Sequence, residues 1–265
     1  MKEIDANKAA WGLLSKDHYE HFKKNLIEDK HHFNQIIEKE LGDISGKTVI
    51  HLQCNGGADT ILLAQKGAIA TGVDLVPDNI FYAKKLSQEL GIKNIDFIES
   101  DIMELMEKHH KKYDMAFTTE GVLCWLPDLN KWAETIKNLL NENGVLYLLD
   151  SHPFLSIFDE EKLSQNILEV KYPYFIRGPE HGNTIGGYAS EAREGDCYEW
   201  MYKVSDIINS LARAGLTIEF FNEYDSLFYN RSGMESCNNG QYHFPFFDKK
   251  IPFIFSLKAR LITRK

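Results

Sequence analysis

The sequence predicts an α/β protein with a doubly wound, mostly parallel sheet. Three observations carry that expectation. Between residues 48 and 150, short apolar runs rich in branched residues alternate with longer runs of helical period. The connections between them are short and built from Gly, Asp and Asn. The run Gly144-Val-Leu-Tyr-Leu-Leu-Asp150 is apolar almost throughout, as befits a strand covered by helices on both faces.

Residues 1–45 precede the first strand. Trp11, Leu14, His18, Tyr19, Phe22, Leu26 and Ile27 recur at helix-like intervals, which predicts an amphipathic cover. The same segment can serve as a lid that brings Trp11, Tyr19 or His18 over a ligand. The first strand is Val49-Ile50-His51-Leu52, and Asn55-Gly56-Gly57 is a tight turn after it. Ile61, Leu62 and Ala64 then open a helix, with Asp59 and Thr60 as acceptors at its start. A second strand ends on Asp74. A helix follows with Ile80, Ala83, Leu86 and Leu90 on one face, stopped at Gly91. Asn94–Glu99 alternates as a third strand and leads to Asp101-Ile102. Tyr113–Thr118 is the fourth, with Thr119, Glu120 and Gly121 at its end. Leu129–Leu140 is a helix, and Asn141-Glu-Asn-Gly144 ends it before the fifth strand.

After Ser151-His152-Pro153-Phe154 the rhythm breaks. Residues 151–202 are rich in Gly, Pro and aromatics, including Tyr188 and Trp200, and read as a cap over the carboxyl end of the sheet, where a substrate pocket would be built. Residues 203–265 return to the core. They supply a helix from Val204 to Ala214, a strand from Leu216 to Tyr224, an irregular aromatic stretch from Phe228 to Phe247 containing His243, and a last strand, Ile251 to Ile262, of antiparallel character.

Composition narrows the function classes. The net charge of −9 argues against a broad nucleic-acid footprint. Cys54, Cys124, Cys197 and Cys237 form no CxxC pair, and the His31-His32 and His109-His110 pairs lack metal-ligand spacing, so no metal site is expected. The N-terminus MKEIDANKAAWG lacks an apolar signal core, and no apolar run is long enough to span a bilayer. The expectation is a cytoplasmic protein with no membrane or nucleic-acid partner, monomeric or homodimeric, acting on a small molecule.

The ligand is read from the strand ends. A dinucleotide turn needs G-x-G-x-x-G, but Gln53, Asn55 and Ala58 occupy those positions, which disfavours a nicotinamide-dependent oxidoreductase. No GxxxxGK[ST] is present. What remains is a turn after the first strand, an acid after the second and an acid–apolar pair after the third. That set suits an adenosine with a small zwitterionic tail.

In that order and spacing, the motifs resemble the class I S-adenosylmethionine-dependent methyltransferases. His51-Leu-Gln-Cys-Asn-Gly-Gly-Ala-Asp-Thr60 is similar to the HLQCxxGxDT first motif of a bacterial small-molecule subgroup. Gly121–Leu129 and Ser151–Phe154 also resemble that subgroup. The resemblance implies a Rossmann-like methyltransferase fold: a seven-stranded sheet with an antiparallel last strand and a cap insertion. It implies S-adenosylmethionine as cofactor and S-adenosylhomocysteine as product. Gln53, Cys54, Asn55 and Gly57 would line the methionine part, Asp74 and Leu75 would meet the ribose and adenine, Asp101 and Ile102 would hold the adenine, and Thr119 and Glu120 would lie near the sulfonium. Glu120 and His152 are the candidate bases. Trp11, Tyr19, Trp125, Trp200 and His243 are the candidates for substrate contact or lid. His51 stands where the family usually has an acid, and Gln53 and Asn55 replace two glycines. A module that binds the cofactor without turnover is the competing reading.

Overall fold

The structure is a computed structural model, and it describes residues 2–175, 178–227, 229–237 and 241–262. Three helices lead: α1 (Lys2–Gly12), α2 (Ser15–Ile27) and α3 (Gln35–Leu41). The alternating core follows as β1 (Thr48–Leu52), α4 (Ala58–Gln65), β2 (Ile69–Asp74), α5 (Pro77–Glu89), β3 (Ile95–Glu99), α6 (Leu105–Lys108), β4 (Tyr113–Thr119), α7 (Leu129–Leu139) and β5 (Leu140–Ser151). The cap holds α8 (Glu160–Ser164) and a hairpin of β6 (Pro179–Ile185) and β7 (Arg193–Trp200). The chain then runs through α9 (Val204–Arg213), β8 (Leu216–Tyr224), β9 (Glu235–Ser236), β10 (Tyr242–His243) and β11 (Ile254–Leu261). Phe228, where the sequence opens its second irregular stretch, lies outside the described residues.

The seven-stranded sheet has the order β3-β2-β1-β4-β5-β11-β8. β1 to β5 pair in parallel, and β11 is antiparallel to both β5 and β8. The chain winds outward from β1 to β3, then returns to place β4 on the other side of β1. The gap between β1 and β4 is therefore the topological switch point, where ligands bind outside the carboxyl ends of the strands.

Side chains alternate across the pleat, so each strand feeds two cores. Val49, Met115, Phe117, Tyr147 and Leu149 pack under α3 and α4. Ile50, Leu52, Ala116, Leu146 and Leu148 pack under α7 and α9, around the fully buried Trp132. On the first face Glu40 of α3 accepts hydrogen bonds from Tyr147, Tyr224, Asn222 and Ser256, which ties the helix to three strands.

Two elements differ from the sequence reading. Asn141–Gly144, read as the end of a helix, belongs to β5. The strand begins at Leu140, opposite Tyr113, and its register shifts before Met115 meets Val145. Asn143 takes a positive φ of 63° in that irregularity, a conformation Asn tolerates. The N-terminal cover is broken: Leu13-Leu14 separates α1 from α2, so the two helices face different partners. Asn7 of α1 both donates to the Tyr198 carbonyl (2.8 Å) and accepts from the Tyr198 amide (2.7 Å), clasping the β6–β7 hairpin. Ser15 and Tyr19 of α2 reach α5 instead, through Asn79 and Glu89.

Candidate functional site

The turn after β1 is held by three residues at positive φ: Gln53 (58°), Asn55 (49°) and Gly57 (78°). Only the last must be glycine for steric reasons. A Cβ at Gly57 would stand 2.7 Å from the Phe97 ring and 2.8 Å from the Ala83 methyl. Its role is close packing of α4 against β3 and α5. The Cys54 side chain likewise turns inward, packed with Ile80, Ala83 and Phe97. Of the four turn residues expected to line the methionine part, Gln53 and Asn55 are the two that carry polar side chains at partly open positions.

Gln53 donates through Nε2 to the Val122 carbonyl at 2.9 Å, while its Oε1 is buried without a partner. Asn55 is fixed from several sides. Its backbone N–H donates to Asp74 Oδ2 at 2.8 Å. Its Oδ1 accepts from the Gly56 N–H at 2.6 Å and faces His18 Nδ1 at 3.1 Å. Its Nδ2 donates to Tyr188 Oη at 2.9 Å.

Asp74 is buried at the end of β2. Its Oδ1 accepts from Val76 N–H and Asn79 Nδ2, and its Oδ2 from Asn55 N–H. A carboxylate has about four acceptor sites, so one remains for a ligand hydroxyl. Burial raises its pKa above the usual carboxylate value, opposed by the three hydrogen bonds. Leu75 beside it is partly exposed. Asp101, partly exposed, accepts from the Met103 N–H at 2.8 Å, and Ile102 is buried.

At the end of β4, Glu120 is open to solvent, and Asn34 Nδ2 donates to its Oε1 at 3.0 Å. Although the side chain reaches solvent, the protein packed around the strand ends limits its hydration, and this, reinforced by the Asp59 and Asp150 carboxylates, raises its pKa above the ordinary carboxylate value; the Asn34 bond opposes this. Thr119 faces Asp59, whose other oxygen lies 2.8 Å from His31 Nε2. Burial would raise the Asp59 pKa, but the His31 hydrogen bond and the charges of His31 and His51 bring it below the ordinary value. His31 is thus a hydrogen-bond partner of Asp59.

Asp150, which sequence reasoning left as a strand terminus, organises the loop after β4. Its carboxylate accepts from the backbone N–H groups of Gly121, Val122, Leu123 and Ser151. The available signal was an acid ending an apolar strand beside a Gly-led loop. Gln53 grips the same loop through Val122. Together they set Trp125, which meets Trp11 edge-on with ring centres 5.2 Å apart. Tyr188 completes this aromatic corner, 6.5 Å from Trp11 and 4.9 Å from His18.

The other candidates lie elsewhere. His152 is buried; its Nδ1 accepts from the Phe154 N–H at 3.1 Å and its Nε2 stands 2.9 Å from Glu223. The Phe154 N–H thus occupies Nδ1, while Nε2 is buried without a hydrogen-bond partner beside the exposed Glu223 carboxylate, so the loop after β5 anchors the ring through Nδ1. Tyr19 stacks on Tyr82 and donates to Glu89, facing α5. Trp200 ends β7 opposite Pro179, and His243 pairs with Asp248. Among the described residues no group of three or more His, Cys, Asp or Glu side chains is arranged to hold a metal. No helix among them is long and apolar enough to cross a membrane.

Residues 43–185 match a family model described as a methyltransferase domain. That span is more than half of the chain, which belongs to this methyltransferase-domain family. Two curated relatives are both named ubiquinone biosynthesis O-methyltransferase. The one from Actinobacillus pleuropneumoniae is 29% identical over 115 residues, 42% of this chain and 48% of the relative. The one from Haemophilus ducreyi is 32% identical over 120 residues, 44% of this chain and 50% of the relative. The chain thus spans about half the length of these relatives. Among solved structures, an S-adenosylmethionine dependent methyltransferase from Mesorhizobium loti shares the fold, with a TM-score of 0.59, 16% identity, and coverage of 85% of this chain and 95% of that one.

Proposed function

We propose that this protein is an S-adenosylmethionine-dependent methyltransferase acting on a small organic acceptor. One observation carries the reading. The turn at 53–57, Asp74, Asp101-Ile102 and Thr119-Glu120 converge on the carboxyl ends of four adjacent strands, around the switch between β1 and β4. The residues fit such a cofactor. Gln53 Oε1 and His18 Nε2 are buried acceptors without partners beside the turn, Asp74 keeps one acceptor site, and the acids suit a ligand carrying an ammonium and a sulfonium.

In this reading Asp74 accepts from the ribose and Asp101 from the adenine amine, while Ile102 packs on the ring. The bound cofactor supplies an activated methyl group on a good, neutral leaving group. The protein's task is then alignment and exclusion of water. Trp11, Trp125 and Tyr188 wall the site from solvent. Glu120, whose proton affinity is raised, takes the proton from an acceptor that must lose one. An oxygen acceptor is the finer reading, favoured by the curated relatives' names, and would use Glu120 in this way.

Calorimetric titration with S-adenosylmethionine, S-adenosylhomocysteine and NAD tests the proposal. Micromolar binding of the two sulfur ligands, weakened at least tenfold by Asp74→Asn, is expected. Asn retains Oδ1 for Val76 and Asn79. Absence of binding by either sulfur ligand would refute it. Binding without methyl transfer across a panel of phenols, amines and thiols would favour the module without turnover.

A further inference from the structure

Tyr188 lies on the connection between β6 and β7, in the cap, yet its hydroxyl meets the turn after β1. The hydrogen bonding there fixes each proton. The Gly56 N–H donates to Asn55 Oδ1, which sets the amide's orientation. Nδ2 must then point the other way, and it donates to Tyr188 Oη at 2.9 Å. His18 Nδ1 faces the same Oδ1 at 3.1 Å, so that nitrogen carries the imidazole proton. Burial holds the His18 pKa below its ordinary value, which keeps the ring neutral. Among the described residues the other hydrogen-bonding contact of the tyrosine hydroxyl is with this same His18 Nδ1, at 3.5 Å, and a protonated Nδ1 cannot accept.

The Tyr188 hydroxyl therefore receives one hydrogen bond and has its own hydrogen to give. Among the described residues no hydrogen bond uses that hydrogen. The residue is half exposed, at 53%, so the group is not sealed in the core. Asp59, Asp74 and Glu120 are near enough to raise its pKa, after desolvation, so it stays a neutral O–H donor. All three acids are acceptors. They suit cationic parts of a ligand and leave any anionic part without a partner.

We infer that the Tyr188 hydroxyl, aimed by Asn55, is the donor for the carboxylate of the cofactor's amino-acid tail. The inference rests on the cofactor reading above. It makes the cap a part of the cofactor site as well as of the acceptor pocket. Asn7 and the α1 clasp on Tyr198 then act as positioning contacts for this donor, since they hold the hairpin that carries it.

The test uses the full chain and two ligands that differ in one group: S-adenosylhomocysteine and its decarboxylated form. Tyr188→Phe keeps the ring and removes the donor. The expected result is about a tenfold loss of S-adenosylhomocysteine affinity by calorimetry, as for one hydrogen bond to a charged group. The decarboxylated ligand should bind wild type and Tyr188→Phe within twofold of each other. Equal weakening of both ligands would mean that the hairpin has shifted, and would overturn the assignment. So would unchanged affinity for both. If wild type binds neither ligand, the cofactor reading itself fails, a result distinct from either of these.

Discussion

His51 offers a quantitative test of the site's electrostatics. It is buried in β1 at 2% exposure, with Nδ1 2.8 Å from Thr60 Oγ1, Nε2 without a partner, and the Phe117 ring at its edge. Desolvation lowers its pKa from 6.5 to about 4, against the pull of Asp59. The folded state therefore binds this proton more weakly than the unfolded chain does. The stability that follows is complete above 6.5 and is lost as pH falls through the window from 6.5 to about 4. At about 1.36 kcal/mol per unit, the whole window is worth roughly 3 kcal/mol, of which about 2 kcal/mol is lost between pH 7.5 and pH 5. His51→Asn places an amide near the Nδ1 position and removes the titration. It leaves a small cavity, so it lowers stability at every pH, and the informative quantity is the difference between the two pH values. Wild type should lose about 2 kcal/mol more than the variant on going from pH 7.5 to pH 5, or roughly 4–8 °C in Tm for a domain of this size. Other groups that titrate in both proteins, His18 among them, cancel in the comparison. Equal acid sensitivity of the two proteins would refute the reasoning.

Further tests address other contacts. Gly57→Ala places a methyl against Phe97 and Ala83 at a φ of 78°, and should cost about 2–4 kcal/mol in urea denaturation. Adding Phe97→Leu should recover part of that loss; no recovery would mean that the cost is conformational alone. Glu120 has a raised pKa in the folded state, so its stabilising share is complete below about 4.5 and is lost as pH rises through the raised value. Glu120→Gln does not titrate, and its Tm should therefore gain on wild type between pH 4 and pH 8; a flat difference would count against the raised value. Asn7→Ala removes two partly buried hydrogen bonds to Tyr198, and should cost about 1–3 kcal/mol and expose the β6–β7 hairpin to limited proteolysis. Unchanged cleavage would show that the clasp does not hold the hairpin.

Much of the framework is legible in the chain itself because it rests on local rules. The alternation of apolar runs and helical periods placed β1 to β5 and the helices between them, and Leu216–Tyr224 was bounded correctly from its alternation. Asp74, Asp101 and Thr119-Glu120 lie at or just past the carboxyl ends of β2, β3 and β4, and could be placed there because a strand end is also a position in sequence. Boundaries failed where a long-range pairing overrode a local signal, as at Asn141–Gly144, which the ladder with β4 draws into β5.

What tertiary structure alone decided is the direction of each side chain and its partner. Cys54 and Gln53 are neighbours in one motif, yet one packs inward on Phe97 and the other reaches Val122. His152 resembled a catalytic histidine in sequence and is anchored through Nδ1 by the Phe154 N–H. Asp150 resembled a strand end and grips four backbone N–H groups. Tyr188 meets Asn55 across a separation of 133 residues. A sequence fixes hydrophobic period and turn chemistry because these act between near neighbours. It carries no local mark of a hydrogen bond whose second partner arrives only when the sheet has closed and the cap has folded over it.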